Sequence, residues 1–518
     1  MIVTVRTAVA ARADRSGLLI TIVALLLVAA TFVPLGYIVS TLLANGIHDT
    51  AQLIFRPRVG ELLRNTVDLV VLTVPICLVL GIGLAWIVER TDVPGTGWWG
   101  PVFVAPLAVP AFVNSYGWVS AIPSLHGLWA GVLIATVSYF PLVYLPAAAT
   151  LRRLDPAVEE SARALGSGPL TVFVRIVLPQ LRLAILGGGL LIALHLLAEY
   201  GAFAMVRFDT FTTAIFEQYQ SSFAGAAGNA LAGVLVALCL VLLAGEAAAR
   251  GNARYARIGS GVPRAATRVR LGVNKIPVFL LLAAALAGTL GVPLWCIVRW
   301  LRIGGSKVWD MADIGQSLGQ TIGLAAVAAV ITTVCAFPVA WIAVRSTSRF
   351  ARIIEGANYI TSSLPGIVIA LALVTVSIRW LPALYQTAAT VLAAYTLMFL
   401  PRALVGVRAG LAQVPVGLEE MSQALGKSGP ATFFRITLRL TAPAAASAAA
   451  MVFVAVATEL TATLLLAPNG TRTLAMRFWS LSGELDYAAA APYALIMIIA
   501  SVPVTYLLFT QSRKAAGV

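Results

Sequence analysis

Residues 159–179 read EESARALGSGPLTVFVRIVLP, and residues 419–439 read EEMSQALGKSGPATFFRITLR. Each stretch opens on two glutamates, reaches Ala-Leu-Gly at Gly166 or Gly426, and runs through Phe-x-Arg-Ile to Leu178 or Leu438. The pattern predicts two short helices joined at a glycine. Glutamate in the first turn suits the positive end of a helix dipole. Glycine ends that helix in the left-handed conformation without steric cost. In the first copy Pro179 stops the second helix ahead of the next apolar run; the second copy has Arg439 there, and Pro443 follows.

Long apolar runs flank both stretches. The chain is 60% hydrophobic and only 11% charged, which excludes an ordinary soluble protein of 518 residues. A helix needs about 20 mostly apolar residues to cross a bilayer. Twelve candidate spans meet this, near 17–44, 64–88, 98–120, 127–150, 183–206, 225–248, 276–302, 318–344, 353–380, 384–406, 443–467 and 487–510. Continuous runs, not alternating strands, argue against a β-barrel. The basic start is read as a tail ahead of a retained first span, because the apolar run after it exceeds a signal-peptide core.

The spans repeat. Leu63, Thr66, Ala85-Trp86-Ile87 and Arg90 match Leu318, Thr321, Ala340-Trp341-Ile342 and Arg345 at an offset of 255 residues, and Gly166 and Glu199 match Gly426 and Glu459 at 260. Six spans per copy give both halves the same orientation, a parallel repeat. The expected fold is therefore an all-α polytopic membrane protein with twelve transmembrane helices in two parallel six-helix repeats. The expected layout is 1–60 tail and first span, 61–248 first repeat domain, 249–275 basic linker, 276–315 seventh span and outer loop, 316–510 second repeat domain, and 511–518 tail.

Charge sets the orientation. With both termini cytoplasmic, most of the 36 Lys and Arg fall on the inner side, as membrane topology requires. The net charge of +15 then reflects topology and calls for no nucleic acid. In the linker, Arg250, Arg254, Arg257, Arg264, Arg268, Arg270 and Lys275 occur without an acid, which suits a segment held near anionic lipid. Cys77, Cys239, Cys296 and Cys335 read as packing residues inside spans. His48, His126 and His195 are scattered, so no metal cluster is expected.

The two loops, 160–179 and 420–439, resemble the EAA motif of ABC importer permeases: Glu-Ala-Ala, three residues, Gly, nine residues, Ile-x-Leu-Pro. The resemblance places Glu160, Ala162, Gly166, Ile176, Leu178 and Pro179, and Glu420, Ser422, Gly426, Ile436 and Leu438, in contact with an ATPase. It implies a type I importer permease with two ATPase subunits at the cytoplasmic face, an extracytoplasmic substrate-binding protein, and the bilayer around it. It implies no catalytic residue and no cofactor on this chain, with ATP and Mg on the ATPase. Gly426-Lys427-Ser428 is not the end of a phosphate-binding loop, because position 421 is Met where that loop needs Gly.

Further segments resemble the ferric-iron branch of the family: Ala105 to Phe112, Tyr116-Gly117-Trp118, Phe211 to Ile215, Ser363 to Val368 and Glu459 to Leu465. Thiamine and phosphonate permeases share the fused layout, and an ion-coupled secondary transporter can also have twelve spans. Ferric iron prefers hard oxygen ligands or imidazole, and no Asp, Glu, His and Tyr set clusters along the spans. Glu199 and Glu459 lie about 16 residues from the inner ends of the spans at 183–206 and 443–467, roughly 24 Å at a rise of 1.5 Å per residue. They are read either as outer-mouth groups touching the binding protein or the cation, or as helix caps. Asp68 and Arg379 are their candidate partners.

Overall fold

The computed structural model describes residues 2–222, 225–251, 268–346 and 349–515. The fold is all-α; the β pairing among the described residues is one isolated bridge, Thr91 to Val269. All twelve expected segments are helical, but not all are continuous. Among the described residues, nine helices are long and apolar enough to cross a membrane: Leu19–Ala44, Pro57–Arg90, Gly127–Arg153, Ala226–Arg250, Gly272–Val308, Met311–Arg345, Ala388–Ala412, Gly429–Ala457 and Tyr487–Arg513. Two bent pairs raise the count to eleven: Thr96–Ala108 with Ala111–Ala121 at 92°, and Phe173–Gln180 with Arg182–Ala198 at 62°.

Proline accounts for the first break. Pro110 lacks an N–H and disfavours helix in the residue before it, and Val109 is extended (φ −97°, ψ 111°). The matching segment of the second half, expected as one span over 353–380, also breaks. Helix Arg349–Thr361 ends, the chain passes Ser363 and Pro365, and helix Gly366–Trp380 begins. Its 15 residues reach about 22 Å, short of the roughly 30 Å hydrocarbon core.

The chain packs as two compact units. One comprises residues 1–47 and 312–476. There helix Ile2–Ala44 lies against Arg349–Thr361 and Gly366–Trp380, so the first span packs with the second repeat. Its closest interface joins Ala388–Ala412 to Leu438–Ala457. Small residues allow this approach, as is common where helices associate in lipid. A Cβ on Gly410 would stand 2.4 Å from Ala444 Cβ, and one on Gly406 would stand 2.8 Å from Ala448 Cβ. The other unit comprises 48–311 and 477–518. There Pro57–Arg90 packs on Gly127–Tyr139, Pro141–Arg153 and Arg182–Ala198, while Val292–Gly304 packs on Ala111–Ala121 and Tyr487–Ala515.

Arg254, Arg257 and Arg264 of the linker lie outside the described residues. The end of the linker is anchored. The Val269 N–H donates to Arg90 O at 2.8 Å, and the Leu271 N–H donates to Asp92 Oδ1 at 2.8 Å. The Lys275 ammonium, 2.8 Å from Asp92, and the Leu271 N–H hold the Asp92 carboxyl below its usual range.

Candidate functional site

Both loops fold as helix, glycine, helix. The first helices are Pro156–Ala164 and Val416–Ala424. Asp155 caps the first of them, accepting the Ala157 N–H at 3.0 Å. Gly166 (φ +86°) and Gly426 (φ +80°) then reverse the chain. The Ser167 N–H donates to Ala162 O at 3.0 Å, and the Gly166 N–H donates to Arg163 O at 2.9 Å. The second copy reproduces this with Lys427 to Ser422 O at 3.1 Å and Gly426 to Gln423 O at 2.9 Å. This paired pattern satisfies the last helical carbonyls and needs a left-handed residue at the turn. Beside each glycine a leucine stands in the open: Leu165 is 87% exposed and Leu425 is 81% exposed.

The second helices share a π-helical turn, Phe173–Val177 and Phe433–Thr437, and then diverge. In the first copy the chain bends by 62° at Leu181, just after the helix that contains Pro179. Proline removes the hydrogen bond to the residue four before it and crowds that carbonyl. Pro179 does not itself end the helix; the turn follows two residues later. In the second copy Arg439 can donate, and Leu438–Ala457 runs on as one helix. Ile176, Leu178, Ile436 and Leu438 are half-buried, and Pro179 is exposed.

Each loop is clamped to the end of a span by the same two contacts. Arg90 Nη2, at the end of Pro57–Arg90, lies 3.0 Å from Glu159 Oε1, and Arg345 Nη2, at the end of Met311–Arg345, lies 2.8 Å from Glu419 Oε1. Trp86 meets Phe173 edge-on at 5.8 Å, and Trp341 meets Phe433 edge-on at 5.9 Å. All four pairs follow the repeat register. The carboxylates are buried, Glu159 at 8% and Glu419 at 7% exposure, whereas Glu160 is half-buried and Glu420 exposed. The clamp therefore uses the first glutamate of each pair, while the sequence pattern singled out the second. The copies differ in finish. Arg345 Nη2 also donates to Val414 O (3.1 Å), the Thr437 hydroxyl donates to Glu419 Oε1 (2.8 Å), and Ser422 and Thr432 hydroxyls meet at 2.9 Å. In the first copy Arg90 and Glu159 touch without hydrogen-bond alignment, and Arg163 adds a 3.4 Å contact to Glu159.

The sequence family described as binding-protein-dependent transport system inner membrane component matches residues 36–246 and 336–513, one match for each clamped loop. The chain belongs to this family. It is a multi-pass inner-membrane permease of the ABC importer type. The permease is 36% identical over 475 residues to the Fe(3+)-transport system permease protein FbpB 2 of Haemophilus influenzae, covering 91% of this chain and 94% of that one. It is 31% identical over 201 residues to the sulfate transport system permease protein CysW of Synechocystis, covering 35% of this chain and 73% of the relative. It is 30% identical over 204 residues to the putative 2-aminoethylphosphonate transport system permease protein PhnU of Salmonella typhimurium, covering 34% and 71%.

Just after the permease's helix Arg182–Ala198, Glu199 accepts the Ala202 N–H at 2.9 Å, and just after Leu438–Ala457, Glu459 accepts those of Ala462 and Thr463 at 2.9 and 3.0 Å. Each thereby caps the short helix that follows, Gly201–Met205 or Thr461–Leu466. Glu459 also accepts the Thr463 hydroxyl at 2.7 Å. Glu199 accepts the Tyr139 hydroxyl at 2.6 Å, and the Tyr139 ring packs at a tilt of 51° against His195, with ring centres 5.4 Å apart. Packing of two spans thus brings Tyr139 to residues 56 and 60 positions away, contacts that sequence spacing does not reveal; among the described residues no group of three His, Cys, Asp or Glu is placed to hold a metal ion. Asp68 pairs with Arg64 at 3.5 Å, one turn earlier on its own helix, and not with Glu199.

Proposed function

We propose that this permease imports ferric iron, delivered by an extracytoplasmic binding protein and driven by two ATPase subunits bound at loops 160–179 and 420–439. The observation that carries the coupling role is the duplicated clamp. A helix pair with an exposed leucine at its tip is tied to the end of a long span through a buried ion pair and an aromatic contact. Leu165 and Leu425 offer an apolar contact to a groove on each ATPase. Glu160, Ala162, Ile176, Leu178 and Pro179, with Glu420, Ser422, Ile436 and Leu438, complete the two docking elements. When the ATPase pair closes on ATP, the docked helices shift, and Arg90 and Arg345 pull their spans with them. The pathway then alternates between outward and inward access. ATP and Mg belong to the ATPase, and this chain serves without a cofactor of its own.

The Lys and Arg distribution supports cytoplasmic loops and termini. Ferric iron is supported by the Haemophilus influenzae relative, whose similarity extends over nearly the whole chain. The sulfate and 2-aminoethylphosphonate relatives match over about a third of it. The test is co-purification of a stoichiometric ATPase with the permease, followed by titration of the binding protein with ferric iron, thiamine and 2-aminoethylphosphonate. Ferric iron binding alone is expected. A permease that transports without any ATPase contradicts the coupling role, and a binding protein selective for another ligand contradicts the substrate.

A further inference from the structure

The Arg90 side chain meets Glu159 of the first loop, while the Arg90 carbonyl is held by the end of the linker. The Val269 N–H donates to Arg90 O at 2.8 Å, and the Asp92 N–H donates to Val269 O at 3.1 Å, a parallel bridge between Thr91 and Val269. Asp92 completes the tie. Its Oδ1 accepts the Leu271 N–H at 2.8 Å, and its Oδ2 lies 2.8 Å from the Lys275 ammonium. Leu271 packs against the apolar core of its unit. Residues 268–275 are thus fastened to the three residues on which helix Pro57–Arg90 ends.

The two clamps differ in a way that gives this tie a purpose. In the second, Arg345 also donates to Val414 O, and Glu419 also accepts the Thr437 hydroxyl. In the first, Arg90 Nε, Arg90 Nη2 and Glu159 Oε1 have no aligned hydrogen bond. The second clamp is steadied by its own loop, the first by the linker's backbone. The tie also carries free positive charge. Arg268 is exposed and donates to Thr96 Oγ1 at 3.0 Å. Arg270 is exposed, and among the described residues no hydrogen bond or ion pair engages its guanidinium. Asp92 is already committed to Leu271 and Lys275, so it does not neutralise either arginine. Trp98, on the same short helix as Thr96, is 71% exposed. Tryptophan gathers at the headgroup level of membranes, and arginine near the inner leaflet attracts anionic lipid.

We propose that residues 268–275 are a strap through which the inner leaflet acts on the first clamp: headgroups of an anionic phospholipid bind Arg268 and Arg270 and hold the strap on Arg90 and Asp92. The inference rests on the coupling role of the clamps given above and adds a lipid partner to one of them. Lipid charge then tightens the first clamp and leaves the second unchanged.

The test is amide hydrogen exchange on the full-length permease in nanodiscs, either phosphatidylcholine alone or phosphatidylcholine mixed with phosphatidylglycerol. In the anionic discs exchange at Val269 and Leu271 should slow roughly 30-fold, the worth of two arginines at a charged surface. Leu165 and Gly166, which bond to Ser161 O and Arg163 O, should slow with them, and Leu425 and Gly426 should not. The Arg268→Gln, Arg270→Gln double variant should lose the lipid dependence. Asp92→Ala should speed exchange at Val269, Leu271, Leu165 and Gly166 in both lipids. Equal exchange of the wild type in the two lipids, or a lipid effect that survives the double variant, overturns the strap. Protection restored by inorganic phosphate in phosphatidylcholine discs overturns the lipid assignment, and equal slowing at Leu425 and Gly426 overturns its restriction to the first clamp. If Asp92→Ala is not recovered folded, the double variant, in which both altered side chains are exposed, decides. Import in proteoliposomes keeps the two readings apart. Full import by an Arg90→Gln, Arg345→Gln variant refutes the coupling role whatever the lipid does, whereas lost import together with lipid-independent exchange refutes only the strap.

Discussion

Glu419→Gln isolates the electrostatic part of the clamp, because glutamine keeps the side chain's size. The substitution leaves Arg345, whose side chain is 14% exposed, without its counter-charge. Breaking a buried pair from one side costs about 3–5 kcal/mol, since the surviving charge is left uncompensated. Arg345 retains Val414 O at 3.1 Å and the Trp341 ring at 5.8 Å, so the low end, about 3 kcal/mol, applies. At 1.4 kcal/mol per tenfold, local opening of helix Val416–Ala424 should rise roughly 100-fold. Native-state hydrogen exchange reads this directly at the Leu425 and Gly426 amides, which bond to Met421 O and Gln423 O. Exchange at the core of Ala388–Ala412 should not change. Exposed Gln423→Ala on the same helix should stay within about 0.5 kcal/mol, less than threefold. A Glu419→Gln effect as small as that would refute the clamp as an energetic link between loop and span.

Other substitutions probe other contacts. Gly426→Ala meets no neighbour within 4 Å, so its cost is the left-handed backbone alone, about 1–2 kcal/mol, seen as faster exchange at Lys427. Pro179→Ala should straighten the 62° bend, lengthening the distance between spin labels at Val174 and Leu191 by about 3 Å toward roughly 25 Å; an unchanged distance would show that proline is not the cause. Gly410→Val should destabilise the purified permease by about 1–3 kcal/mol through overpacking against Ala444, measured as a lower thermal midpoint, and Ala444→Gly should recover part of it.

What could be read from sequence depended on whether the cause was local. The capping glycines and the duplicated loops follow from neighbouring residues and register, and the structure reproduces them, whereas of the twelve apolar segments nine to eleven are long enough to span among the described residues. Arg90 and Arg345 were visible as register markers, yet their partners lie 69 and 74 residues away, and only packing joins them. Pro110 and Pro365 were visible too, but hydropathy alone does not convert a proline into a 92° break. Glu199 and Glu459 were found as acids in an apolar context. The helix breaks that make them caps, and the packing that brings Tyr139 to Glu199 and His195, needed three dimensions.

The most direct test of the central claim is iron accumulation in proteoliposomes that contain the permease, its ATPase and the ferric-loaded binding protein. Uptake should require ATP and all three proteins. It should fall sharply in the Arg90→Gln, Arg345→Gln double variant while ATPase subunits remain bound. Uptake driven by an ion gradient without the ATPase, or full uptake by the double variant, would contradict the account.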